Sequence, residues 1–101
     1  MPKLPRKASE TTVALGSDLR IGRARTVLNL LEAANKTTAK SASVVIDAAE
    51  VSKIDAAGLQ ALTVAIVRFR TAGIKWRWHN PSPILTNAAK LLGLDRALEI
   101  E

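Results

Sequence analysis

Hydrophobic and polar positions along the chain change period several times, and each change marks an element. Thr11-Thr-Val-Ala-Leu15 is rich in β-formers and runs into Gly16-Ser-Asp18, a turn signal. Leu19 and Ile21 flank Arg20 in strict alternation, which predicts a short second strand folding back as a hairpin. From Ala24 to about Asn35 the spacing becomes helical, with Val27, Leu28, Leu31 and Ala34 on one stripe and a polar stop behind them. Ser43-Val-Val-Ile46 is a short β-branched run closed by Asp47, the mark of a strand buried on both faces. The longest helix is predicted over Ala57–Ala72, with Leu59, Leu62, Ile66 and Phe69 facing the core and Gly73 in a left-handed cap. Ile74-Lys-Trp-Arg-Trp-His79 alternates again, so Trp76 and Trp78 point inward while Lys75, Arg77 and His79 line a wetter side. Ser82 and Pro83 then form an N-cap and first helical residue. The helix they open runs to Leu92, buries Ile84, Ala88 and Leu91, and stops at Gly93; Leu94 and Leu98 tuck in a last turn.

The order β-β-α-β-α-β-α predicts an α/β fold: a mixed β-sheet with right-handed crossover helices packed mainly on one face. Residues 1–10, interrupted by Pro2 and Pro5, read as a disordered basic tail, and residues 11–101 as the folded domain. There is no internal repeat.

Composition narrows the function. A chain of 101 residues with 48% hydrophobic content can build a real core. No segment approaches the roughly 20 apolar residues that span a bilayer, and the basic start has no apolar stretch behind it. Absence of cysteine removes disulfides, thiolate ligands and a Cys nucleophile, so the cytoplasm is the expected compartment. The formal charge of +6 includes Lys3, Arg6 and Lys7 of the tail, and the other cations are scattered rather than interleaved with stacking aromatics. Nucleic-acid binding is therefore not expected.

Catalytic chemistry is not expected either. His79 is the only histidine, and neither cysteine nor a carboxylate cluster joins it as a metal site. Asp47, Glu50 and Asp55 are explained as a strand end, a linker residue and a helix cap, and Gly58 and Gly73 are too isolated to form a phosphate loop. No serine or threonine has a His–Asp relay. The chain reads as a non-enzyme without metal or cofactor.

One set of residues carries a resemblance. Val44-Val-Ile-Asp47 followed by Val51-Ser-Lys-Ile-Asp55-Ala-Ala-Gly-Leu-Gln60 resembles the core signature of the STAS domain, and Trp78-His-Asn-Pro-Ser-Pro83 and Leu91-Leu-Gly-Leu94 match its closing strand and last helix. The resemblance runs over residues 11 to 101. It implies a non-catalytic, protein-binding signalling adaptor like an anti-sigma-factor antagonist, or like small STAS proteins of bacterial chemotaxis and two-component systems. The implied partner is a histidine or anti-sigma-type kinase or a receptor-array protein. Its contact edge would be Asp55, Ala56, Ala57, Gly58 and Leu59, extended by Gln60, Val64 and Val67, with Gly58 letting the partner's backbone come close. Family switches carry a phosphorylated hydroxyl here, but this chain has Ala56 and Ala57, so binding is constitutive or regulated through the partner. The alternative is an accessory subunit of a membrane lipid ABC transporter. The turn itself admits two readings: a capped helix start serving only the fold, or, with the helix behind it, a docking surface.

Overall fold

A computed structural model describes residues 10–37 and 43–100. Along the chain they form β1 (Glu10–Ala14), β2 (Asp18–Leu19), α1 (Ile21–Thr37), β3 (Ser43–Asp47), β4 (Lys53–Ile54), α2 (Ala56–Ala72), β5 (Lys75–His79), α3 (Pro83–Leu91) and α4 (Asp95–Leu98). The disordered tail read from sequence lies outside the described residues, except for Glu10, which opens β1.

Three strands make the main sheet in the order β1-β3-β5, with both pairings parallel. In register, Val13, Ile46 and Trp78 stand side by side, as do Thr11, Val44 and Trp76. This is the face that joins the core with Leu15, Val27, Leu31, Leu59, Leu62, Ile66 and Phe69. On the other face Thr12, Lys75, Arg77 and His79 are exposed, and an Arg77–Glu10 ion pair (3.4 Å) links the sheet's two edge strands. The one-sided arrangement follows from the alternation in β5: every second residue is cationic or imidazole and stays in water. Central β3 is buried on both faces, with Val44, Val45 and Ile46 all in the interior.

The predicted hairpin does not form. β2 pairs with β4, in parallel, through Asp18–Lys53 and Leu19–Ile54, so every strand pair among the described residues is parallel. Ile21, assigned to that hairpin from its alternation with Leu19, instead begins α1, ahead of the predicted start at Ala24. The phase of α3 also differs. Leu85 and Ala89 are its buried residues, while Ile84 is 46% and Leu91 85% exposed, and Ala88 is half-buried. Its apolar arc is wide, running from Leu91 and Ile84 through Ala88 to Leu85 and Ala89, so periodicity alone did not fix which part of the arc turns inward.

The predicted ends are present. Leu85 N–H donates to Ser82 Oγ (3.2 Å) with Pro83 in the first turn, and Gly73 closes α2 at φ 75°. Trp76 and Trp78 meet edge to face at 5.9 Å, and Trp78 Nε1 donates to the Leu98 carbonyl (2.9 Å), tying α4 to the sheet.

Candidate functional site: the start and outer side of α2

Asp55 sits in extended conformation just before α2 and uses both carboxylate oxygens on backbone donors. Gly58 N–H donates to Oδ1 and Ile21 N–H to Oδ2, each at 2.9 Å. The residue predicted to cap one helix therefore caps two, and the N-termini of α1 and α2 converge on a single carboxylate. The N–H bonds from Gly58 and Ile21 hold the Asp55 carboxyl below its usual range, with smaller help from Ala57 N–H and the Arg20 charge. Arg20 is itself engaged, its Nε and Nη2 each 3.0 Å from the Asp18 carboxylate, and this pairing lowers the Asp18 pKa to about 2.

Gly58 has a different task from the one read in sequence. It is buried, and a Cβ there would lie 1.8 Å from the Leu19 carbonyl oxygen and 2.8 Å from its carbon. The backbone that approaches Gly58 belongs to β2 of the same chain, not to a partner. Leu59 is fully buried in the core. Both residues leave the expected contact edge: Leu59 points inward on the helix's core stripe, and Gly58 is the seam between α2 and β2. Asp55 is committed to its two caps.

Ala56 is exposed and Ala57 half-buried, and neither has a hydroxyl. Gln60, Val64 and Val67 lie on the outer side of α2, with Val64 40% and Val67 48% exposed. A groove follows this ridge on either side. One, of about 380 Å³, runs between α1 and α2 and is lined by Ile21, Ala24, Arg25 and Leu28 with Ala57, Gln60, Ala61 and Val64. The other, of about 470 Å³, is lined by Gln60, Thr63, Val64, Val67, Arg68 and Leu94. Sequence reasoning missed the α1 wall, where Ile21 is 74% exposed. The available signal was the i, i+3, i+4, i+7 spacing of Ile21, Ala24, Arg25 and Leu28, a second stripe beside the core stripe.

The remaining candidates stay apart. Asp47 Oδ1 accepts from Ala49 N–H (3.1 Å), Glu50 is exposed, and the space these two share with Ala14 and Gly16 is only about 60 Å³. His79 is exposed, with Asn80 as a side-chain neighbour at 3.4 Å. No metal-holding group of His, Cys, Asp and Glu occurs among the described residues, and no described helix is long and apolar enough to cross a membrane.

Comparison with known proteins agrees with this architecture. The crystal structure of a sulfate transporter family protein from Wolinella succinogenes superposes with a TM-score of 0.75 at 21% identity, covering 91% of this chain and 73% of that one. The NMR structure of the protein TM1081 gives 0.72 at 16% identity, over 96% and 77% of the two chains. The crystal structure of Mglu gives 0.62 at 22% identity, over 78% of this chain and 19% of that one. At such identities the likeness is one of fold. No curated protein sequence matches the chain. A family model described as "Mlab, STAS domain" matches residues 3–100, and with the parallel sheet and the Asp55–Gly58 turn in place, the chain belongs to the STAS domain family.

Proposed function

We propose that this STAS domain is a non-catalytic, cytoplasmic adaptor that binds a protein partner along the outer side of α2 and has no phosphorylation switch at that surface. The observation that carries the reading is the pairing of Ala56 and Ala57 with the exposed apolar ridge of Val64 and Val67 directly behind them. A hydroxyl phosphorylated at the helix start would set two negative charges beside such a ridge and repel a partner. Alanine leaves the ridge permanently available, so regulation falls to the partner or to its supply. Exposed valines flanked by grooves put apolar surface where a partner can reach it. The contact edge then consists of Ala56, Ala57, Gln60, Val64 and Val67, while Asp55, Gly58 and Leu59 hold the edge in shape.

The partner expected is a histidine or anti-sigma-type kinase or a receptor-array protein. The second reading, an accessory subunit on the ATPase of a membrane lipid transporter, is weakened by the same two alanines, because the resemblance implies a Thr or Ser in the motif of such subunits. Affinity purification of the tagged chain from its own cells, read by mass spectrometry beside a Val64→Asp/Val67→Asp variant, separates the two. A kinase, anti-sigma factor or receptor protein lost in the variant supports the adaptor. A membrane ATPase lost in the variant moves the assignment to the transporter, and equal recovery with both chains removes the ridge as the docking surface.

A further inference from the structure

The groove between α1 and α2 has a regular construction. On α1 its wall is Ile21, Ala24, Arg25 and Leu28; on α2 it is Ala57, Gln60, Ala61 and Val64. Each set is spaced i, i+3, i+4, i+7, so each helix turns one continuous stripe toward the same trough. Seven residue steps at 1.5 Å rise give the trough a length of roughly 10 Å, about two helical turns. Ala24, Ala57 and Ala61 are small and let an occupant come close to both helices, while Ile21, Leu28 and Val64 supply apolar contact.

The walls decide what kind of backbone can enter. Both are helices, whose N–H and C=O groups beyond the ends are already paired internally, and the N-terminal donors at Ile21 and Gly58 are taken by Asp55. An extended peptide would find no sheet edge to pair with and would bury its own polar backbone unpaired. A helix arrives with its backbone satisfied and packs ridge into groove.

Charge adds the second constraint. Of the cations on α1 and α2, Arg68 is ion-paired with Glu32 and Arg70 with Glu99, which leaves Arg23, Arg25 and Lys36 without an ion pair among the described residues and Glu32 as the single carboxylate on either helix. Arg25 stands in the groove wall itself.

We propose that the α1–α2 groove receives one amphipathic helix of the protein partner, with an apolar stripe at i, i+3/i+4, i+7 and carboxylates along its flank facing Arg25. This deepens the docking reading above and rests on it. An anionic membrane would meet the same cations, but the apolar residues here line a trough, whereas a membrane-lying helix presents a convex apolar face.

The test uses the full chain and the partner recovered with it. A photo-crosslinking amino acid at Gln60, which is exposed and lines the groove, is expected to trap one partner segment, and peptide mapping is expected to show helical apolar spacing with Asp or Glu at its flanks. Arg25→Glu is expected to weaken that partner's binding by roughly tenfold at low salt and far less at about 0.5 M, with Lys75→Glu on the outer sheet face as the equal-charge control. A trapped segment that is basic or extended, an Arg25→Glu variant that binds like wild type, or competition by anionic phosphatidylglycerol vesicles would overturn the acidic helix. If Val64→Asp still abolishes binding in those cases, the docking reading survives without it; if Val64→Asp binds normally, both fall.

Discussion

The first turn of α2 and the two turns after it use one helix in opposite ways. At the start, Asp55 ties two helix N-termini together and Gly58 presses against the Leu19 carbonyl, so the signature residues are spent on the chain's own contacts. Farther along, Gln60, Val64 and Val67 are exposed and stand beside two grooves. The distinctive part of the motif serves the chain's own packing, while the less distinctive residues behind it stay exposed.

This contrast can be broken most violently at Gly58. Adding one methyl group there drives it into the Leu19 backbone carbonyl, and we expect Gly58→Ala to destabilise the fold by about 3 kcal/mol, the upper end for overpacking, in urea unfolding. Gly22→Ala, in the first turn of α1 with open space around it, is expected to stabilise by about 0.5 kcal/mol through helix propensity. A similar response at both glycines would mean that the seam between α2 and β2 is not tight.

Next in size is Asp55→Asn. The amide oxygen can still accept from Gly58 N–H, but its NH₂ group then faces Ile21 N–H, donor against donor, and the α1 cap is lost. The pH dependence has a definite sign. Asp55 and Asp18 both titrate below their ordinary value of 3.8, so the stability they add is complete above that pH and drains away as the pH falls through the folded values, about 2 for Asp18. The variant is expected to unfold at lower urea concentration at neutral pH, less drastically than Gly58→Ala, and to lose stability less steeply from about pH 4 downward. Parallel acid profiles for the two proteins would show that the Asp55 charge contributes nothing to folding.

The outer side should respond in the reverse sense. Val67→Asp is expected to change stability by no more than about 0.5 kcal/mol, as at other surface positions, while removing partner binding in the purification experiment. Loss of fold in this variant would move Val67 from the surface to the interior. The smallest effect is expected from Ala57→Ser, which should unfold like wild type and, mixed with the partner and ATP, take up no phosphate. Incorporation would show that the partner has kept a kinase activity and that only this chain lost its acceptor.

Much of this was legible in the residues. Runs of β-forming residues placed β1 and β3, a period of two placed β5 and a period of 3.6 placed α2, and Asp55, Ser82, Pro83 and Gly73 marked ends where side-chain and backbone chemistry act within a few residues. The lack of a hydroxyl at Ala56 and Ala57 was visible outright. β4 was not, because two residues carry no periodicity.

Local signals are short-ranged, and what depends on them could be read from the residues alone: the types of the longer elements, caps, the α/β class and the missing phosphoacceptor. Tertiary structure alone decided the rest. Leu19-Arg20-Ile21 alternates like a strand, yet Leu19 pairs in parallel with Ile54 and Ile21 starts a helix, because a carboxylate 34 positions away accepts its N–H. The inward side of α3, the close approach of the Leu19 carbonyl that makes Gly58 necessary, and the groove joining Ile21 and Leu28 to Val64 all depend on distant segments meeting, which no window of neighbouring residues contains.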